Sequence, residues 1–459
     1  MNKLAHLILR VQEALEEKTE CPQPVDAKES TPDSMNEAKP MTKKEEVLQA
    51  LLLRSKEVEA EDLPRIEDEM LAAFEAYKNE DYFTDFASTG YFRLLDLRER
   101  PDARVVVVGD IHSDFLSLAA ILLKLSVSDY DYFEKGFFVF MGDYLDRGLL
   151  LFEPLLLLLD LKKILGERML MLRGNHELID YDEATQLLTG RVIPQDSVPL
   201  LNKFCSENKP FLQSFAYFYR TLPTYVYLKV ADQNVLLTHG AVPRDIFLNS
   251  FCYDTETGAI VFEKEFLYEL NAKIKKEISD DSLTTCTRLC NGNLLRLRNE
   301  ILNDMIWGDP STAAEKYQVN GRYEFGSKQF EAYATKNKLS RVFRSHEPEA
   351  TGIASFFDNR LFTVFSTGGV HNQQSGYTGL QPAFAIVHGD GSYALENSNL
   401  YRVSVGEITE LTTDLFDEQV ISLRTAGNYY LNDEFCCTTE TAMQLLATIE
   451  EIKSNFSPI

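Results

Sequence analysis

The sequence predicts an α/β protein that gathers its chemistry at strand ends, and three occurrences of one pattern predict it. Val105-Val106-Val107-Val108 is a run of four β-branched residues, the mark of a strand buried on both faces. It stops at Gly109, and Asp110 and His112 follow, two residues apart and so on one side of an extended chain. Gly136 to Met141 is a second apolar run and stops at Gly142-Asp143; Arg168 to Leu172 is a third and stops at Arg173-Gly174-Asn175-His176. Helical stretches separate them, Leu116 to Leu125 and the Leu-rich 149–165. That is βαβ alternation, with each polar motif at the C-terminal end of its strand, where open α/β sheets place their sites.

The bounds agree. The 459 residues suit two or three domains, or one large α/β domain with extensions. A net charge of −25 sets nucleic acid and anionic membrane aside as general partners, while leaving room for a local basic pocket. Seven cysteines at no metal-knuckle spacing read as free thiols in a reducing, cytoplasmic setting. The richest apolar run, Leu149 to Leu161, is broken by Glu153, Pro154 and Asp160, so no membrane span is expected. The N-terminus lacks the apolar core of a signal peptide.

In chain order, Leu4, Leu7, Ile8, Val11 and Leu15 predict an amphipathic helix over 3–17, packed on the body or docking a partner. Residues 18–42 carry four prolines among polar residues and predict a disordered linker. Helices are expected at 43–58 and 65–79, capping a sheet that begins at Arg104. Residues 178–222 read as helical and loop-like with few site candidates, and Tyr225–Val230 and Asn234–Thr238 as a hairpin that ends in His239-Gly240. Residues 250–305 read as polar and helical without chemistry. Leu339–Phe343 is a strand ending in Arg344-Ser345-His346. Leu361–Phe365, Phe384–Val387 and Tyr393–Leu395 are expected in a mainly antiparallel sheet. The resulting division is 1–42 as helix and linker, 43–398 as catalytic domain and 399–459 as a C-terminal extension.

Five strand ends therefore present Asp110, His112, Asp143, Asn175, His239 and His346. Two carboxylates, one amide and three imidazoles are too many for one metal and suit two divalent cations bridged by a carboxylate.

Gly109-Asp110-Ile111-His112, Gly142-Asp143-Tyr144-Leu145-Asp146-Arg147-Gly148 and Arg173-Gly174-Asn175-His176-Glu177 resemble the three signature motifs of the PPP superfamily of metal-dependent protein phosphatases. His239-Gly240, Arg344-Ser345-His346 and Trp307-Gly308-Asp309-Pro310 resemble its later motifs. The resemblance implies a divergent member with the calcineurin-like metallophosphoesterase fold, a central β-sandwich of mixed sheets flanked by helices with a dinuclear metal site at strand ends. It implies that Asp110 and His112 hold one metal, that Asn175, His239 and His346 hold the other, and that Asp143 bridges. It also implies that the cations turn a shared water into a hydroxide nucleophile. Arg147, Asn175 and Arg322 would contact the phosphate, His176 would protonate the leaving oxygen, and Asp146 would orient His176. Arg173 and Glu177 are expected as scaffold ions. The metals would be manganese first, with iron or zinc as alternatives.

The chain departs from the family at Ser113-Asp114, Ala241, Glu347 and Val370, which stands where the family has a tyrosine; Tyr377 is the nearby candidate to replace it. The expected activity is hydrolysis of phosphoserine and phosphothreonine in proteins. The alternatives are phosphotyrosine or a small phosphoester as substrate, or an inactive phosphoprotein-binding scaffold. Expected partners are phosphoprotein substrates and a regulatory or targeting protein held by the terminal segments.

Overall fold

The structure is a computed structural model that describes residues 41–54, 62–78, 92–126, 128–148, 150–268, 296–313, 323–368, 377 and 380–398. The predicted helix at 3–17, the linker at 18–42 except its last two residues, Arg322, Val370 and the extension at 399–459 lie outside those residues.

Helices α1 (Lys43–Arg54) and α2 (Leu63–Lys78) open the described chain. They bury Val47, Leu48, Leu51, Ile66, Met70 and Phe74. Both contact other helices, so they cover the helical layer and do not cap the sheet directly. Strand β1 (Phe92–Asp96) corrects the expectation that the sheet begins at Arg104. None of its residues is fully buried, so it carries no clear apolar signal. Next come β2 (Arg104–Val108), α3 (Phe115–Ser126), α4 (Tyr132–Lys135), β3 (Phe137–Phe140), α5 (Glu153–Leu165) and β4 (Met169–Met171). Helix α5 starts later than its leucines suggest because Pro154 sits in its first turn, where a missing N–H costs nothing.

The stretch expected to be helical and loop-like contains a hairpin, β5 (Ile179–Asp182) and β6 (Leu187–Gly190), before α6 (Ser197–Phe204) and α7 (Lys209–Thr221). Then follow β7 (Tyr225–Val230), β8 (Gln233–Thr238), α8 (Asp245–Leu248) and a small hairpin, β9 (Phe251–Tyr253) with β10 (Ile260–Phe262), inside the stretch expected to be helical. A helix over 296–307, here α9, leads to β11 (Asp309–Pro310). The chain closes with β12 (Glu324–Phe325), α10 (Ser327–Lys336), β13 (Arg341–Arg344), β14 (Ile353–Phe356), β15 (Leu361–Val364), β16 (Ala383–His388) and β17 (Tyr393–Asn397).

Two mixed sheets result, ordered β17-β16-β2-β3-β4 and β1-β7-β8-β13-β15-β14. The last strands are thus not one antiparallel sheet: β15 pairs parallel with β13 in one sheet, while β16 runs antiparallel to β2 in the other. The period-2 alternation of strands explains the core. Val105 and Val107 pack with Val139, Leu170, Leu228, Leu237, Phe343 and Val364 between the sheets. Val106 and Val108 point the other way, under α3, α5 and α7. The outer face of the second sheet carries Tyr225, Tyr227, Leu236 and Val342 under α9 and α10. The strands that carry the motifs are therefore clamped on both sides. A bridge between Asp110 and Phe365 joins the two sheets where those strands end.

Candidate metal centre and active site

Strands β2, β3 and β4 are parallel neighbours, so the loops after them are too. This brings Asp110, His112, Asp143, Asn175 and His176 to one edge. Strands β8 and β13, also parallel neighbours, bring His239 and His346 to the same place from the second sheet. Ligand atoms of Asp110, Asp143 and His239 lie within 4.8 Å of one another, and so do those of His112, Asp143 and His176. Asp143 belongs to both groups. The loops are strained: six of the twelve described non-glycine residues with positive φ are His112, Ser113, Asp143, Asp146, Arg147 and His346. Such backbone persists only where the surroundings impose it, and it concentrates at functional sites. Gly142 has φ +105°, and a Cβ on Gly174 would overlap the Asp143 carboxylate, so glycine is required at both.

Each candidate imidazole ligand is aimed by its other nitrogen. Nδ1 of His112 meets the Leu145 carbonyl at 3.1 Å, and Nδ1 of His239 meets the Met141 carbonyl at 2.9 Å. Nδ1 of His346 meets Oδ1 of Asp309 at 2.8 Å, and Arg344 donates to the same oxygen at 2.6 Å. These contacts leave Nε2 for the centre. They give Asp309, which sequence reasoning noted only as part of a motif, a defined role in aiming His346.

The residues fit divalent cations. Oδ2 of Asp110 is fully buried without a hydrogen-bond partner. Oδ1 of Asn175 faces only acceptors, among them Nε2 of His239 at 3.0 Å. Turning the amide would let it donate to Asp143 and His239 but would leave Asp110 orphaned. A cation among these lone pairs resolves both problems at once.

Charge in the cradle is arranged for that. Burial opposes ionisation of Asp143, yet the imidazoles of His239 and His176 outweigh it and hold this carboxyl well below the usual range. Burial likewise opposes a charged His112, but Asp110 and Asp143 push it up to about 9, the pull of two carboxylates on positive charge that a cation would satisfy in place of the ring proton. His346 is pushed down, chiefly by burial, which favours the neutral ring that ligates metals. Glu177 lies beneath. Burial and the Asp143 charge push it up to about 8, and it accepts from the backbone N–H groups of Asp143, Tyr144 and Gly174 at 2.7–2.9 Å. It is built into the loop as scaffold.

His176 lies beside the cradle. Its Nε2 is 3.9 Å from Oδ2 of Asp143, and its Nδ1 is 2.6 Å from Oδ2 of Asp146. Arg147 follows in the same loop, its Nε buried without a partner. Three consecutive residues that sequence reasoning passed over grip this group. Gln195 donates to the His176 carbonyl at 2.7 Å, Asp196 accepts from the Arg147 N–H at 3.4 Å, and the Ser197 N–H donates to Oδ1 of Asp146 at 2.6 Å. Asp114, one of the departures, also has a place: it accepts from Ser117 in the first turn of α3 and from Thr367 at 2.8 Å. Tyr377 packs its ring 5.4 Å from that of His112.

Comparison with known proteins points the same way. The family of calcineurin-like phosphoesterases matches residues 103–350, more than half of the 459-residue chain. The serine/threonine-protein phosphatase with EF-hands 1 of Rattus norvegicus is 25% identical over 278 residues, 60% of this chain and 40% of that protein. A PP2A-like serine/threonine-protein phosphatase of Saccharomyces cerevisiae is 24% identical over 277 residues, 57% of this chain and 61% of that protein. The chain thus spans only 40% to 61% of the length of these curated relatives. A solved serine/threonine phosphatase from Saccharomyces cerevisiae, described as similar to human phosphatase PP5, superposes with a TM-score of 0.50 at 20% identity, over 72% of this chain and 89% of that one. That likeness shows a shared fold. Since the matched segment carries five of the strand-end motifs and the cradle they build, the chain belongs to the calcineurin-like phosphoesterases, which hydrolyse phosphate esters with divalent metal ions.

Proposed function

We propose that this protein is a phosphoprotein phosphatase acting on phosphoserine and phosphothreonine. The observation that carries the reading is the His176–Asp146 pair, 2.6 Å apart and facing the Asp143 carboxylate. A serine or threonine alkoxide is a poor leaving group and needs a proton as it departs. His176 is placed to give one. Its Nδ1 is held by Asp146, so Nε2 is free for the substrate oxygen.

Asp110 and His112 would hold one cation, Asn175, His239 and His346 the other, and Asp143 would serve both; manganese is the first candidate, iron and zinc the others. When bound, the pair acidifies the attacking water and stabilises charge on the phosphoryl oxygens. Arg147 offers a planar fork to the phosphate, with Asn175 and Arg322 as further contacts. The names of the relatives support a protein substrate. Residues 43–398 form the catalytic body, and the segments 1–42 and 399–459 serve regulation or targeting. The free thiols of Cys205 and Cys252 support a reducing, cytoplasmic setting. No helix among the described residues is long and apolar enough to cross a membrane.

A panel of phosphopeptides assayed with added Mn²⁺ tests this. Turnover of phosphoserine and phosphothreonine peptides well above phosphotyrosine peptides and nucleotides is expected. Preference for phosphotyrosine or nucleotides would move the substrate class, and metal binding without any turnover would leave a phosphoprotein-binding scaffold.

A further inference from the structure

The segment Arg191-Val192-Ile193-Pro194-Gln195-Asp196 connects β6 to α6. Its inner side is built into the catalytic loops. Val192 and Gln195 are buried. The Gln195 amide donates to the His176 carbonyl at 2.7 Å and accepts from the Val192 N–H at 3.3 Å. Asp196 accepts from the Arg147 N–H at 3.4 Å, and the Ser197 N–H donates to Asp146 at 2.6 Å. A Cβ on Gly190 would overlap the Gln195 amide, so the loop closes tightly on itself.

The tip is the opposite. Ile193 is 94% exposed, the highest value of any large apolar side chain among the described residues. A lone exposed isoleucine is ordinary on a protein surface. This one differs in its mounting. It stands on a short loop bonded to His176, Arg147 and Asp146, and Pro194 narrows the backbone choices of both tip residues. A side chain already held in place loses little freedom when it makes a contact. Arg191 is paired with Asp180 at 2.8 Å, so what the tip itself offers is apolar surface.

The same hydrogen bonds set the distance. Through the Gln195 amide, the Cα of Ile193 is at most about 13 Å from the His176 carbonyl oxygen. The His176 ring extends outward from that backbone, and the side chains of Ile193 and of a substrate extend to meet each other over a similar length. An extended polypeptide covers about 13 Å in roughly four residues.

We infer that Ile193 is a specificity-determining residue that contacts an apolar side chain of the substrate polypeptide, within about four residues of the phosphorylated one. The inference rests on the reading of the protein as a phosphoprotein phosphatase and adds a sequence preference to it.

Phosphoserine peptides in which Leu replaces Ala, one position at a time on either side, are the direct test. Leu at one of these positions should lower KM by roughly fivefold to tenfold with kcat unchanged. One methylene in a closed pocket discriminates by about 10–200-fold, and an open tip should give the low end. Unlike an ionic contact, the preference should persist in high salt. Ile193→Ser should raise KM for the Leu peptide to that of the Ala peptide, and Ile193→Leu should restore the difference. Both variants should fold, because the side chain is almost fully exposed. Equal KM for Leu and Ala peptides at every position, or a preference that survives in Ile193→Ser, would overturn the assignment. Fluorescence anisotropy with the same peptides on the metal-loaded His176→Asn variant reads binding without appreciable turnover. The Leu peptide should bind more tightly there, and adding Ile193→Ser should remove the difference. If no phosphopeptide is hydrolysed, the activity reading fails, and this anisotropy difference still decides the role of Ile193 by its presence or absence.

Discussion

The two sheets supply the metal cradle in different ways. The first sheet delivers Asp110, His112, Asp143, Asn175 and His176 on three adjacent loops whose backbone is itself the device, with positive φ at His112, Asp143, Asp146 and Arg147. The second sheet delivers two single histidines, each aimed by something outside its own loop: His239 by the Met141 carbonyl of the first sheet, His346 by Asp309. Positive-φ backbone is concentrated in the first half, although His112 there is also aimed by the Leu145 carbonyl, and partners from distant segments aim both histidines of the second, where His346 alone has positive φ. The halves should fail differently.

The largest effect is expected where they meet. Asp143 lies 3.6 Å from His112 and 3.3 Å from His239 through one oxygen, Oδ2. Asp143→Asn should deplete both metals and remove nearly all activity, as read by elemental analysis on folded protein. Full occupancy of two metals would end the bridging assignment.

His176→Asn comes next and acts within the first half. It should slow phosphoserine hydrolysis by on the order of 10²–10⁴-fold. Nitrophenolate, with a pKa of roughly 7, departs almost unaided and should be affected far less. Metal content should stay near normal, because the ligands proposed for both cations are other residues. Equal losses on both esters with metals bound would point to a role in placing the phosphate.

Asp309→Asn probes the second half. Loss of the carboxylate behind a ligating histidine typically costs about 10–100-fold in metal affinity. Only the cation proposed to be held by Asn175, His239 and His346 should weaken. Arg344 is buried but keeps Glu347 at 3.0 Å and the Gly240 and Gly308 carbonyls, so the fold should survive. Loss of both metals together would show that the halves are not independent.

How much of this could be read from sequence follows the same division. The first-sheet motifs are contiguous, run straight on from apolar strands, and announce themselves. The histidines of the second sheet are legible as strand ends, but what aims them is not: Asp309 lies 37 residues from His346, and no local pattern connects them. Sheet membership was hidden for the same reason. Leu361–Val364 and Ala383–His388 both look like strands, and only tertiary pairing sends them to different sheets. The β5–β6 hairpin was hidden because it is nearly all surface. Of its strand residues only Ile179 and Leu188 are buried, so no alternation is visible.

That hairpin leads into the segment where the smallest effect is expected. Gln195 is 9% exposed and spans two contacts, donating from Nε2 to the His176 carbonyl at 2.7 Å and accepting at Oε1 from the Val192 N–H at 3.3 Å. It touches neither substrate nor metal and can act only through the position of His176. Gln195→Ala removes one tether and leaves the other, since Asp146 still receives the Ser197 N–H and still holds Nδ1 of His176. A misplacement of about 1 Å can cost about 10²-fold, and loosening one of two tethers should move the ring less than that. About tenfold slower phosphoserine hydrolysis is therefore expected, with nitrophenyl phosphate unchanged and both metals retained. The contrast between the two esters separates positioning from simple destabilisation, which would lower both rates together. If phosphoserine turnover is unaffected, the strained first-sheet backbone holds His176 unaided, and the division between the two halves is sharper than the hydrogen bonds suggest.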